Sequence, residues 1–336
     1  MLTRLDAEFR PRRVLLIQFG PLQELVQSLP VLNTLRVRFP CSEIAFLIED
    51  QMVGLLTRHP AIDRLITAKH HWYKNWEQIR LVKKRLKAFT PDLSFELEGT
   101  FRGGFAAWLS GAKYRVGFSK KSSRNFGWLF HNVRVSSQSS IPVEKLEQKM
   151  QLLETIGIMG SSIDYDLPVI HHEEETSLNI CREHDLLGVP FAMIHVTEFL
   201  QKKGLHVQIA DYLTAKWQIP LLAVWRNDQE RYWAEELARD VRGVIEMTSE
   251  LSIPLMVAMM RKALFFIGAD LDTLHLASAV KTPCLGLLDS AKSFPPYQAR
   301  RSCWLTPEDA ADSGVFDTCD RMLHQLLPDD FQRRGA

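Results

Sequence analysis

Cysteine is scarce. The five in the chain, Cys41, Cys181, Cys284, Cys303 and Cys319, are scattered and show no C-x-x-C spacing. That argues against a zinc site and a disulfide framework, and suits a reducing cytosol. Long apolar runs are missing as well. No stretch of about 18 apolar residues occurs, so no transmembrane helix is expected. The opening "MLTRLDAEFRPRRVLLIQF" has no apolar signal core ahead of its first strand. Charge of one sign is not in excess: the balance is +1 over 336 residues, which sets up no global field toward nucleic acid or membrane. A G-x-G-x-x-G fingerprint, a Walker lysine, a repeat of solenoid length and a low-complexity tract are all lacking. What remains is 46% apolar and 24% charged residues in a length that suits two domains.

Those residues alternate between two periods. In the first half, strands are expected at 13–18, 43–48, 64–67, 93–97 and 114–117, with helices at 22–38, 51–58, 74–89 and 100–110. Strand–helix alternation of this kind implies a parallel sheet covered by helices on both faces. A helical segment over 144–158 then meets a polar stretch, 159–177, that reads as a linker. The second half repeats the pattern. Strands fit 191–196, 220–225, 243–246, 263–268 and 283–288; helices fit 174–185, 206–217, 228–240, 252–261 and 272–280. A last helix follows Thr306-Pro307, with Thr306 as its cap. Two doubly wound α/β halves are expected to place a ligand at the carboxyl ends of their strands, in a cleft between them.

Several junctions can carry chemistry. In "IQFGPLQELVQSLPVLNTL" a buried strand enters a helix through Gly20-Pro21, and Glu24 sits in the first helical turn. The unpaired N–H groups there can hold an anion; equally, Glu24 can be an acid that merely complements the helix dipole. In "FFIGADLDTLHLASAVKTPCLGLLD" a strand ends at Gly268 before Asp270, Asp272 and a helix containing His275. Either aspartate can be a simple N-cap, and His275 a core histidine, or the N–H groups of residues 271–274, Leu271 and Thr273 among them, can face a phosphate. Lys202 and Lys203 follow the strand "FAMIHV" and can neutralise a diphosphate or be solvated. Asp228 and Glu230 follow "PLLAVW" and can receive ribose hydroxyls or cap a helix. The basic run 80–89 reads as a solvated helix face. The basic cluster Arg102, Lys113, Arg115, Lys120, Lys121 and Arg124 is interleaved with aromatic residues and can meet an anionic acceptor; nothing else supports nucleic acid.

Taken in order, these segments resemble glycosyltransferase family 9, the bacterial ADP-heptose lipopolysaccharide heptosyltransferases, and within it the heptosyltransferase I type. The likeness runs from about residue 12 to 325. "RRVLLIQFGPLQELVQSLPVLNTLRVRFP" is similar to the family's strand, S-x-G-D loop and "LPAL" helix. "EIAFLIEDQMVGLLTRHPAIDRLI" and "PDLSFELEGTFRGGFAAWLSGAKYRVGF" follow its next two patterns, and "GADLDTLHLASAVKTPCLGLLD" is similar to its most diagnostic element, "DSG..HLAaAlg.P".

The resemblance implies a GT-B fold, with two Rossmann-like doubly wound domains facing across a cleft. Residues 1–160 would bind the acceptor and 161–336 the nucleotide sugar, and the C-terminal helix can pack back on the first domain. It implies an inverting transferase, ADP-heptose as donor, a Kdo-bearing lipid A-like acceptor, and no tightly bound cofactor or metal. The location would be cytoplasmic and peripheral at the inner membrane. By position Glu24 would be the catalytic base. Lys202, Lys203, Asp228, Glu230, Leu251, Ile253, Asp270, Leu271, Asp272, Thr273 and His275 would hold the donor. Gly20, Gln27, Arg102, Arg115, Lys120, Lys121 and Arg124 would meet the acceptor.

Four departures from the family pattern stand out. Its Gly-Asp is Gln23-Glu24, its Ser-Gly after the aspartate is Leu271-Asp272, a histidine is replaced by Gln27, and its "FGpt" has become Leu288-Asp289-Ser290. They keep two alternatives open: a degenerate member with a binding role, and a transferase using a different nucleotide sugar.

Overall fold

The structure is a computed structural model that describes residues 9–136, 145–159, 163–288, 302–306 and 314–327. It divides into two compact units, Met1–Pro168 and Val169–Ala336. The division falls later than residue 160 because the intervening polar stretch is not a free linker. Tyr165 and Leu167 are buried, and Asn33 Nδ2 donates to the Asp164 carbonyl at 2.8 Å.

In the first unit the order is β1 (Arg13–Ile17), α1 (Leu22–Val26), α2 (Leu29–Arg38), β2 (Glu43–Glu49), α3 (Val53–Leu56), β3 (Arg64–Ala68), α4 (Trp76–Phe89), β4 (Leu93–Glu96), α5 (Phe101–Ser110), β5 (Tyr114–Phe118), β6 (Val133–Val135) and α6 (Lys145–Gln151). In the second it is α7 (His171–Glu183), β7 (Ala192–His195), α8 (Glu198–Lys203), α9 (Leu205–Asp211), β8 (Leu221–Val224), α10 (Asp228–Asp240), β9 (Val244–Glu246), α11 (Ile253–Lys262), β10 (Phe265–Gly268), α12 (Leu271–Ala279), β11 (Cys284–Leu287), β12 (Cys303–Leu305) and α13 (Gly314–Leu326).

Each unit holds one six-stranded, wholly parallel sheet, ordered β3-β2-β1-β4-β5-β6 and β12-β11-β10-β7-β8-β9. Both are Rossmann-like orders that reverse beside the unit's first strand, between β1 and β4 and between β7 and β10. The central strands are apolar without alternation because helices cover both faces: Val14, Leu15, Leu16 and Ile17 are fully buried, as are Phe265, Phe266 and Ile267.

The single helix expected over 22–38 is two. Pro30, in the first turn of α2, has no N–H to continue α1, and the chain turns at Gln27-Ser28. The helix expected over 206–217 is α9 continued by a π-helical turn, Tyr212–Lys216. Strands β6 and β12 were not expected; three residues are too few to show a period. The apolar face of α13 fills its own unit's core through Val315, Cys319, Met322 and Leu323, and Asp320 of that helix accepts from Tyr212 Oη and Trp217 Nε1. The start of that helix after Thr306, and Asp289-Ser290, lie outside the described residues. Among the described residues no helix is long and apolar enough to cross a membrane.

Candidate active site

In the first unit the carboxyl ends of β1, β2 and β4 and the segments that follow them bring Glu24, Glu49, Glu98 and Arg102 to the point where strand order reverses. Gly20, at φ +120°, admits them. A Cβ at that position would lie 2.9 Å from Glu98 Oε1, 3.4 Å from Arg102 Nη2 and 3.6 Å from Glu24 Oε2, so glycine is required both by its backbone and by the close approach. Arg102, on the first turn of α5, bridges Glu98 at 3.0 Å and Glu49 at 2.8 Å, and its guanidinium lies 5.4 Å from the Phe19 ring centroid. Glu49, the last residue of β2, also meets His70 at 2.9 Å.

Glu24 stands on α1 with its side chain 12% exposed and ion-paired to Lys145. From the next turn of α6, the fully buried Lys149 donates to the Glu24 carbonyl and, at 2.9 Å, to Gln18 Oε1. Burial pushes the Glu24 carboxyl up, but Lys149, Lys145 and Arg124 outweigh it and hold its pKa below the ordinary range. Burial pulls Lys149 down to about 8, against the attraction of Glu24 and Glu98. Glu24, Glu98, Ser122, Arg124, Lys145, Lys149 and their neighbours line a cavity of about 40 Å³, room for roughly one water.

Behind this cavity Glu96 is wholly buried. Its carboxyl accepts from the N–H groups of Glu98, Gly99 and Thr100 at 3.0, 2.9 and 3.4 Å, and Oε2 lies 3.4 Å from His131 Nε2. Burial, then the Glu98 charge, raise Glu96 to about 8 against those N–H bonds. Burial lowers His131 to about 4, and its Nδ1 faces the Phe118 carbonyl at 3.3 Å. Burial thus favours the neutral form of both side chains near pH 7.

In the second unit a cavity of about 530 Å³ opens at the carboxyl ends of β7, β8 and β10, lined by His195, Thr197, Phe199, Arg226, Glu230 and Asp270 among others. That is within the range of small-molecule pockets, about 300–1,000 Å³. Its wall is fixed by one hydrogen-bonded chain. Asn227 caps α10 by accepting from Glu230 N at 2.9 Å. Glu230 Oε2 accepts from Arg226 N at 2.8 Å and faces His195 Nε2 at 3.0 Å. His195 Nδ1 faces Thr273 Oγ1 at 3.4 Å. Asp270 caps α12 by accepting from Thr273 N at 3.1 Å, and Arg226 Nη1 stands 3.9 Å from the same oxygen. Burial raises the Glu230 carboxyl, but His195, the Arg226 N–H and the Asn227 side chain prevail and its pKa is lowered.

Of the residues singled out from sequence, Gly20, Glu24, Arg102 and Arg124 gather in the first site, with Gln27 buried at the end of α1. Arg115 does not: it sits near the amino end of β5 and donates to the carbonyls of Phe130 and Ala112. Lys120 and Lys121 are exposed. Glu230 and Asp270 line the second cavity, Thr273 supports it, and Leu271 and Asp272 are half-buried in the first turn of α12. His275 is buried in the same helix.

Lys202, Lys203, Asp228, Leu251 and Ile253 are not among the lining residues. Lys202 pairs with Glu198 at 2.5 Å on an exposed face of α8, Lys203 and Asp228 are exposed, and Leu251 is buried ahead of α11. Sequence reasoning missed Lys145, Lys149, Glu49, Glu96, Glu98 and His131, and it did not single out His195 or Arg226. Position at the end of a buried strand was the available signal for Glu49, Glu96 and His195. Among the described residues no group of three or more His, Cys, Asp or Glu is placed to hold a metal ion.

The chain is similar along much of its length to proteins already characterised. Residues 79–318 match the profile of glycosyltransferase family 9 (heptosyltransferase). Lipopolysaccharide heptosyltransferase 1 of Pseudomonas aeruginosa is 23% identical over 289 residues, 82% of this chain and 78% of that protein. Lipopolysaccharide core heptosyltransferase OpsX of Haemophilus influenzae is 24% identical over 159 residues, and that match spans 47% of this chain and only 44% of that protein. Among solved structures, a family 9 glycosyl transferase from Veillonella parvula aligns with a TM-score of 0.80 at 16% identity, covering 97% of this chain and 100% of that one. Escherichia coli heptosyltransferase WaaC, solved with ADP-2-deoxy-2-fluoro heptose, aligns with a TM-score of 0.72 at 16% identity, covering 93% and 99%. The chain belongs to glycosyltransferase family 9 (heptosyltransferase): it is a glycosyltransferase, built on the GT-B fold of two Rossmann-like units.

Proposed function

We propose that this enzyme moves heptose from ADP-heptose to a hydroxyl of an anionic, Kdo-bearing lipid A-like acceptor, with inversion, in assembly of a lipopolysaccharide core. The observation that carries the reading is the Glu24 carboxylate, held ionised beside a small polar cavity where the first unit's strand order reverses. In the reaction the acceptor oxygen attacks the anomeric carbon and the bond from that carbon to the diphosphate oxygen breaks. ADP leaves with the electron pair, and the hydroxyl proton passes to Glu24. One displacement of this kind inverts the anomeric centre. Lys145 exchanges its ion pair with Glu24 for the incoming anionic acceptor, while Lys149 keeps the helix carrying Glu24 in place.

The donor nucleotide occupies the cavity of the second unit. Glu230 Oε2 is already taken by His195 and Arg226 N, so its Oε1 is the oxygen for a ribose hydroxyl, and Arg226 meets the diphosphate. The reaction as written needs no tightly bound cofactor. Its setting is the cytoplasmic face of the inner membrane, with peripheral contact. The names of the relatives, and the ADP-sugar bound by WaaC, support this choice of donor and pathway.

A second reading, a member that binds without transferring, is favoured by one observation: the Glu24 carboxylate is already engaged by Lys145. Purified full-length protein supplied with ADP-heptose and Kdo2-lipid A separates the two. The first reading expects ADP release, lost in Glu24→Gln while calorimetric ADP-heptose binding persists. ADP-heptose binding without turnover in the wild type would overturn it, and turnover with only another nucleotide sugar would move the donor assignment.

A further inference from the structure

From Gly99 to Ser136 the chain holds seven Lys or Arg and no Asp or Glu. The same stretch leaves large apolar side chains in solvent: Phe126 is 69% exposed, Leu129 56% and Trp108 53%. They belong to one built platform. Phe101 and Phe105 on α5 meet the Phe130 ring at 5.4 and 5.9 Å, and Phe105 stacks on Trp108 at 5.9 Å. Two glycines let the 124–130 segment lie directly on α5: a Cβ on Gly104 would come within 2.5 Å of the Gly127 carbonyl oxygen, and one on Gly127 within 2.4 Å of that of Thr100. Ser123 Oγ donates to the Gly99 carbonyl at 2.8 Å and accepts from Trp128 N at 3.1 Å. Lys120 and Arg134 stand 5.7 and 5.2 Å from the Trp128 ring centroid.

On this platform Phe126 is held at φ +61°. A bulky residue is disfavoured in that region, and the usual compensation is function. Burial does not compensate here, because the fold turns the ring outward. Protruding aromatic and aliphatic tips on a segment rich in cations and without Asp or Glu match the chemistry of an anionic bilayer. There the rings enter the headgroup layer and the cations meet lipid phosphates. Single-stranded nucleic acid also favours aromatic and basic residues, but it is bound by tracks of stacking rings, and the outermost side chains here are an isolated Phe126 and the aliphatic Leu129. The other end of the same loop lines the Glu24 cavity through Ser122 and Arg124, so one segment joins the exposed tips to the candidate site.

We infer that the face formed by Trp108, Phe126 and Leu129 with Lys120, Lys121 and Arg124 seats the first unit on an anionic phospholipid surface. The inference deepens the proposed function, whose acceptor is membrane-borne, but its test uses neither donor nor acceptor. Full-length protein is sedimented with phosphatidylglycerol/phosphatidylcholine vesicles and with phosphatidylcholine vesicles alone. Wild type is expected on the anionic vesicles. Phe126→Ser/Leu129→Ser and Lys120→Ala/Lys121→Ala should each weaken binding by about tenfold or more. Lys83→Ala/Lys84→Ala, on the exposed face of α4, should leave it unchanged. The inference is overturned by any of four results: no binding to anionic vesicles, equal binding to neutral ones, an equal loss in the α4 variant, or tighter binding of a single-stranded oligonucleotide. Because the vesicle assay holds neither donor nor acceptor, failure of transfer in the wild type counts against the proposed function and not against the membrane face.

Discussion

The ammonium of Lys145 lies on the carboxylate of Glu24, although the two residues are 121 positions apart in the chain. With Lys149 one turn further along α6, the pair reverses what burial alone would do to a glutamate in this place. The base of the proposed reaction is thereby ionised at neutral pH, at some loss of basicity.

The first prediction concerns that balance. Removing one cation lets desolvation act with less opposition, so Lys145→Ala should raise the Glu24 pKa and move the acid limb of the kcat/KM profile to higher pH. Glu24→Gln should lower kcat by about 100- to 10,000-fold, the span of general-base contributions. An acid limb that stays put in Lys145→Ala would mean that another group titrates there.

The second prediction concerns the nucleotide cavity. Arg226 is the only Lys or Arg among the described residues that line it, and Glu198 brings a carboxylate to the same wall. Calorimetry with ADP should show Arg226→Ala about tenfold weaker, near the net worth of one charge-assisted contact. Glu198→Ala should bind ADP a few-fold more tightly, because a like charge is removed and Lys202 is released from its pair. Weaker binding in Glu198→Ala would place the diphosphate elsewhere.

Much of the fold was legible because a buried parallel strand declares itself. "RVLLI", "IAFLI" and "ALFFIG" are apolar without alternation, and each is followed by a helical period. Ends and edges were not legible. Val133–Val135 and Cys303–Leu305 are too short to carry a period. Pro30 read as part of a long helix because its neighbours keep the apolar spacing on both sides. Candidate residues just after a strand, such as Glu24 and Asp270, could be singled out because loop position is local information. Lys145 and Lys149 were not, since an amphipathic helix with lysines is ordinary until a distant carboxylate is known to meet it. Lys202 and Lys203 could be read as phosphate ligands or as solvated side chains, because side-chain direction on α8 is something position in the sequence does not fix.

The third prediction uses the buried pair behind the site. Glu96 has its pKa raised from the ordinary 4.5 to about 8 in the folded chain. Between those values the folded state holds a proton that the unfolded state releases. This group's contribution is therefore complete below about pH 4.5, declines as pH rises, and is lost through about pH 8, with a steepest slope of about 1.4 kcal/mol per pH unit. Glu96→Gln keeps a carbonyl for the N–H groups of residues 98–100 and an N–H for His131. Urea midpoints should show the variant lacking that decline while staying folded at neutral pH. A decline as steep as in the wild type would assign the proton to another group.

The last prediction tests the seat of the 124–130 segment. Gly104 has an ordinary helical backbone, so Gly→Ala would normally stabilise α5 by roughly 1 kcal/mol. Here the added methyl would sit 2.5 Å from the Gly127 carbonyl oxygen and 3.0 Å from Phe130 Cδ2. The nearer obstacle is backbone, which cannot rotate aside, so the clash term of about 1–3 kcal/mol is expected to win. Gly104→Ala should lower the thermal midpoint and shift the emission of Trp128, which belongs to this segment. By contrast, Gly111→Ala, in open space but at φ +77°, should cost only backbone strain and leave that emission alone. A Gly104→Ala protein more stable than wild type would show that α5 and the 124–130 segment are not in direct backbone contact.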